Sequence, residues 1–193
     1  LRGKPRLFIV PGNTPGLKFK AAPAMGVRAA ETGTLTLDGV KVGADALLGG
    51  SDSKTNKFNY QEFIALGQLH WCALAIGTGQ AALDYSINYA NERIAFGEPI
   101  SHRQSVAFMI SNMAIEIDAM RLMVWRAAAL AEKGQAFQRE AYLAQILCQD
   151  KAMEIGTNAV QILGGHGFTK EHPAERWYRD LRILACVTSG LHL

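Results

Sequence analysis

Arg93, Phe96, Gln104 and Gln161 are the side chains in this sequence best suited to holding a flat, charged ligand. An arginine can grip a pyrophosphate through two parallel N–H···O bonds, and a phenylalanine can stack on a planar ring. Glutamine amides can hydrogen-bond a polar heterocycle. Gly164, Gly165 and Gly167 follow Gln161. Lacking β-carbons, they leave backbone N–H groups open to a phosphate or an amide. Each feature also has a plainer reading: a solvated arginine, a core phenylalanine, a capping glutamine, a glycine helix stop.

Other motifs carry less. Gly77-Thr-Gly79-Gln-Ala-Ala82 has the letters of a dinucleotide fingerprint. It lies inside a helical pattern with no strand before it, which favours close helix–helix approach instead. His70-x-Cys72 and the pair His166 and His172 offer too few ligands at metal spacing, so no metal is expected. No Gly-x-Ser-x-Gly elbow occurs, and no cysteine stands in an activating motif.

The elements that must position these residues are mostly helices. Residues 1–50 have β character, with Leu7–Val10 as a short apolar run. Leu35 and Leu37 alternate with Thr34 and Thr36, and Asp38-Gly39 offers a hairpin turn into Val40-Lys-Val42. So few strands read as part of a larger antiparallel β domain. Ser51–Asn56 is a polar linker, giving a β part at 1–50, a linker at 51–58 and helices from 59 to 193.

Asn59 with Glu62 resembles a capping box opening a first helix that carries Phe63, Leu66, Leu74, Gly77, Ala81 and Ile87 to about Arg93. Ser101-x-x-Gln104 reads as a second box. It precedes a stripe of Val106, Met109, Ile110, Met113, Ile117, Met120 and Val124, which Gly134 ends. A third helix over about 138–163 carries Tyr142, Ile146, Leu147, Met153, Ile155 and Ile162. Pro173 fits the first position of a fourth, whose Trp177, Leu181 and Leu184 share a face. Short connections between long helices make an up-down four-helix bundle, so the class is α+β and mostly α.

Composition narrows the field. With 193 residues, 49% of them hydrophobic, the chain can bury a real core. A net charge of +3 and no Lys/Arg run give no reason to expect nucleic acid. Three widely spaced cysteines fit no disulfide framework and point to a reducing compartment, bacterial cytoplasm or mitochondrial matrix. No apolar run is long enough for a membrane span.

Several motifs in order carry a resemblance. Tyr89-Ala-Asn-Glu-Arg-Ile-Ala-Phe-Gly-Glu-Pro-Ile100 with Gln104, then Gln161-Ile-Leu-Gly-Gly-His-Gly-Phe168, then Pro173-Ala-Glu-Arg-Trp-Tyr-Arg-Asp180, resemble the acyl-CoA dehydrogenase family. Pro15-Gly16 and Val40–Gly49 resemble the second half of that family's β domain. The resemblance implies FAD as cofactor, an acyl-CoA substrate, an electron-transfer flavoprotein as acceptor, and a dimer or tetramer of identical or homologous subunits. It also implies that Arg93 and Phe96 meet the FAD of a neighbouring subunit, with Gln104, Gln161, Gly164 and Gly165 in the same contact. The chain then reads as about the last half of such a protein, its flavin-facing strands lying before residue 1.

The family's general base does not follow. Members remove the α-proton of the thioester with a glutamate held in a dry pocket that raises its pKa. Counting from Arg179-Asp180 puts Thr188 at that position; counting back from Arg93, the alternative position is Gly67, followed by Gln68. Neither Thr188 nor Gly67 can serve as the base, so the catalytic residue is unassigned. Three readings stay open: a dehydrogenase homologue, a catalytically silent subunit, and a flavin monooxygenase on the same fold.

Overall fold

A computed structural model of the chain describes residues 5–50 and 58–187, and the chain folds as two units. Residues up to Ala24 and from Arg28 to Ile64 form the first; Met25–Val27 and everything from Ala65 onward form the second. The expected linker at Ser51–Asn56 lies outside the described residues.

In the first unit, β1 (Leu17–Ala21) pairs antiparallel with β2 (Gly33–Leu37), with Leu17 opposite Leu37 and Ala21 opposite Gly33. The hairpin expected from residues 34–37 into Val40–Val42 therefore does not form. Leu17-Lys-Phe-Lys-Ala21 offers five alternating residues, two more than Val40–Val42, so pairing with it completes a longer ladder. Asp38 N–H closes the end of that ladder on Gly16 O at 2.9 Å instead of turning the chain back. The Leu7–Val10 run makes a single antiparallel bridge, Phe8 to Leu47, flanked by Ile9 N–H to Ala46 O and Leu48 N–H to Leu7 O.

Four helices follow: α1 (Tyr60–Glu92), α2 (Gln104–Glu132), α3 (Gln138–Leu163) and α4 (Ala174–Val187). Asn59 Oδ1 accepts the Glu62 N–H at 3.3 Å and caps α1 as its spacing suggested. The Ser101–Gln104 box does not form. Ser101 is taken into a 3₁₀ turn at Ile100–His102, and Arg103 caps α2 without a side-chain bond. At the other end of α2, Gly134 (φ +65°) bonds Ala131 O while Gln135 N–H reaches Leu130 O, the paired bonds of a Schellman stop. Pro173 stands one place before α4, its carbonyl accepting the Trp177 N–H.

The core lies where α2, α3 and α4 meet the inner face of α1. From α2 it takes the anticipated stripe: Met113, Ile117, Met120 and Val124 are buried, with Val106, Met109 and Ile110 packed against them. Leu181 and Leu184 of α4 are buried beside Trp177.

On α1 the expected face is the wrong one. Phe63, Leu66, Leu74 and Ile87 are exposed, while Ala65, Leu69, Cys72, Ala75, Ile76, Ala82, Leu83 and Ala90 turn inward. The helix is apolar round most of its circumference, so periodicity offered two candidate faces, and the side with more small residues went inward. Tyr142 and Ile146 of α3 are likewise exposed, the inner face being Ala141, Ala144, Cys148, Ala152, Ile155 and Ala159. A β-carbon at Gly79 would meet Ile117 and Ile155 at 3.6 Å, and one at Gly77 would meet nothing within 4 Å. Close helix approach does not require glycine at either position.

Candidate functional site

α1 runs to one end of the bundle, α2 starts back from that end, and α3 returns to it. Up-down topology thus brings two corners together, α1–α2 and α3–α4.

At the first corner Arg93 N–H closes α1 on Tyr89 O, and the chain makes a minimal hairpin of β3 (Ile94–Ala95) and β4 (Glu98–Pro99). Its two-residue loop is Phe96-Gly97, at φ +56° and +88°, the signs a type I′ turn demands. Glycine suits the second place. A phenylalanine in the first costs about 1–2 kcal/mol of left-handed backbone. Phe96 is nonetheless 95% exposed, so no burial of its ring offsets that cost. The Arg103 guanidinium lies 5.5 Å from its centroid, and Arg103 pairs with Glu98 at 3.1 Å. Gln104 is the first residue of α2 and is exposed.

At the second corner α3 ends on Gly164 (φ +58°), whose N–H is taken by Gln161 O, and a 3₁₀ turn, Gly164–Phe168, leads out. Gly164 therefore does not offer the open N–H expected of it. Gly165 is exposed with no atom within 4 Å of where a β-carbon would lie. Gly167 is buried instead. Its β-carbon would fall onto the Val160 carbonyl oxygen and 2.9 Å from Val160 Cα, so this glycine serves packing. Arg179 of α4 makes a two-point pair with Glu175 (2.7 and 3.1 Å) and donates to Met25 O at 2.7 Å. Glu175, bonded to it, holds the Arg179 guanidinium pKa above its ordinary value. Asp180 Oδ1 accepts the Val27 N–H, so the Arg179-Asp180 pair pins residues 25–27 onto α4.

Two cavities open here. One of about 490 Å³ is lined by Tyr85, Tyr89, Glu92, Arg93, His166 and His172. The other, about 390 Å³, includes Gln161, Phe168, Tyr178 and Arg179 in its wall. Arg93 and Gln161 thus line separate cavities, divided by the 3₁₀ turn that supplies His166 to one and Phe168 to the other. Phe168, 79% exposed, is a second aromatic presented at this end.

Sequence reasoning passed over the tyrosine–histidine cluster in the first cavity. Tyr85 Oη lies 2.8 Å from His172 Nδ1 and Tyr89 Oη 2.8 Å from His166 Nδ1, and the two imidazoles stack at 4.9 Å and 19°. The four-residue spacing of Tyr85 and Tyr89 on one helix face was the available signal. No group of three or more metal-ligating side chains occurs among the described residues.

Of the two places weighed for a general base, Thr188 lies outside the described residues. Gly67 is on α1 with nothing within 4 Å of a β-carbon position, and Gln68 beside it is only 5% exposed.

Comparison with known proteins follows the same outline. Residues 59–188 match the domain family described as acyl-CoA dehydrogenase, C-terminal domain. The mitochondrial short-chain specific acyl-CoA dehydrogenase of Bos taurus is 39% identical over 177 residues, covering 91% of this chain and 42% of that protein. The butyryl-CoA dehydrogenase structure from Megasphaera elsdenii superposes with a TM-score of 0.85 at 33% identity, over 95% of this chain and 48% of the other. A chain in a structure described as the electron transferring flavoprotein of Acidaminococcus fermentans gives 0.86 at 34% identity, over 95% and 48%. The chain spans less than half the length of each of these relatives.

Proposed function

The chain belongs to the acyl-CoA dehydrogenase family, and from that premise we propose that it is the C-terminal bundle of an FAD-dependent enzyme oxidising an acyl-CoA thioester. Phe96 carries the reading. A bulky residue with a positive φ and almost no burial is explained when its ring gains a partner from outside the chain. A flavin nucleotide held by an adjoining subunit fits the surroundings, because Arg93 closes α1 just before the Phe96 hairpin and Gln161 and Gly165 stand at the neighbouring corner.

Arg93 would pair with the phosphates, Phe96 would stack on a flat part of the nucleotide, and Gln104 and Gln161 would hydrogen-bond its polar groups. Gly165 leaves room for backbone approach, whereas Gly164 acts as a helix stop. FAD, when bound, supplies the acceptor for the hydride leaving the substrate. What these residues contribute is grip and orientation.

Sharing a cofactor across subunits requires an assembly. Phe108, Ile115, Leu122 and Trp125 form an exposed apolar stripe along α2, spaced seven, seven and three residues apart, on a helix whose other face is core. That stripe suits a helix of a second copy in a dimer or tetramer. An electron-transfer flavoprotein is the acceptor this reading implies. The relatives include a mitochondrial enzyme, and no helix among the described residues is long and apolar enough to cross a membrane.

The test is flavin retention by the full-length protein. Arg93→Ala and Phe96→Ala should each release most of the bound flavin while leaving the thermal transition in place, and unchanged flavin content in both would overturn the reading.

A second reading, a catalytically silent subunit, draws on Gly67. The position has no side chain to accept a proton and open space where one would fit. Gly67→Glu should therefore fold, with a helix-propensity gain of about 0.5–1 kcal/mol. If wild type fails to bleach its flavin with acyl-CoA and the variant succeeds, the silent reading holds; equal turnover by both dismisses it.

A further inference from the structure

We infer that the stacked pair His166 and His172 is an oxyanion-binding element of the cavity that Arg93 lines, donating two Nε2–H groups to a phosphate. The inference rests on the proposal that Arg93 meets the phosphates of a nucleotide.

The cavity's own charges are mixed. Arg93 brings a cation, but Glu92 beside it brings an anion into the same wall. The C-terminal carbonyls of α1 and α3, at the negative ends of their dipoles, also converge on this end of the bundle. Arg93 alone therefore makes a weak anion site, which further donors with fixed directions would strengthen.

The tyrosines supply the fixing. Tyr85 Oη and Tyr89 Oη each lie 2.8 Å from an imidazole Nδ1. When a phenol donates its proton to Nδ1, the imidazole proton must sit on Nε2. Tyr85 has no other acceptor in reach among the described residues, and Tyr89, whose hydroxyl also lies 3.4 Å from Leu163 O, has its much shorter contact with His166 Nδ1. The ring edge that the tyrosines leave unused then becomes a donor, and neither Nε2 has a hydrogen-bond partner among the described residues. Stacking at 4.9 Å and 19° holds the two rings nearly parallel, so their N–H groups can meet neighbouring oxygens of one anion. Asn88, one turn before Glu92 on the same cavity wall, adds an amide.

Inorganic pyrophosphate is the probe, titrated into protein carrying ¹⁵N-labelled histidine and followed by long-range ¹H–¹⁵N spectra of the imidazoles. In wild type the Nε2 resonances of His166 and His172 should move saturably. His172→Phe and His166→Phe keep a flat ring in the stack and should each weaken binding about tenfold, the effect of one charge-assisted hydrogen bond. Tyr85→Phe, which leaves both imidazoles in place, should weaken it less while shifting the His172 ring nitrogens, and it stands in for either histidine variant that fails to fold. Weakening in Arg93→Ala with no change in the histidine variants overturns the imidazole role and leaves the Arg93 proposal standing. Loss in the histidine variants with none in Arg93→Ala keeps the imidazole site and refutes the Arg93 proposal. No saturable imidazole shift in wild type refutes the imidazole site, and the Arg93 proposal is then decided by flavin retention in Arg93→Ala.

Discussion

The two corners at the shared end of the bundle solve the problem of turning a chain in opposite ways. The α3–α4 corner is locked from within. Gly167 lies against the Val160 backbone, Leu181 is fully buried, and Arg179 and Asp180 tie residues 25–27 to α4. The α1–α2 corner is held at its surface by the Arg103–Glu98 ion pair and a His102–Glu98 hydrogen bond, around a hairpin whose tip carries an unburied phenylalanine. Exposed ion pairs of that kind contribute about 0–1 kcal/mol each. One corner stabilises the fold; the other spends backbone strain on presenting a side chain.

The contrast can be broken by substitution. Leu181→Ala should cost about 3 kcal/mol, a cavity at a site with no exposure, read from the urea midpoint. Gly167→Ala should cost about 2 kcal/mol, because its β-carbon meets backbone, which cannot rotate away. Phe96→Gly belongs to the other corner. It relieves the positive φ, forfeits the cation–π contact, and should shift stability by under about 0.5 kcal/mol while flavin is lost. A large destabilisation there would mean that Phe96 serves the fold and would erase the distinction.

The smallest effect concerns the thiols. Cys148, hydrogen-bonded to Cys72 and buried with it, has its pKa pushed well above the ordinary thiol range, whereas Cys186 is exposed. A raised thiol pKa keeps Cys148 neutral through the working range, so it should contribute no pH dependence to stability there. In the native protein one cysteine should react quickly with a thiol reagent and two should wait for unfolding. Three fast thiols would show that the bundle opens as readily as its surface.

Helix existence and ends were legible because they depend on local chemistry: Asn59 caps α1, Gly134 stops α2, and the Met113–Val124 stripe has one apolar face to bury. Strand pairing was not. Residues 34–37 could pair with either 40–42 or 17–21, and only the longer ladder, joined across a distance in sequence, decided it. The glycine cluster divided likewise into a cap at 164, an open position at 165 and a packing contact at 167, which no spacing rule separates.

By itself the sequence determined the family and the four helices, since motif order and capping are written in adjacent residues. Only the tertiary structure decided which face of α1 turned inward, that Arg93 and Gln161 line different cavities, and that two histidines stack beside the arginine. The reason is the same throughout. An apolar or polar side chain declares what it can do, but which neighbour it does it with depends on helices brought together from distant parts of the chain.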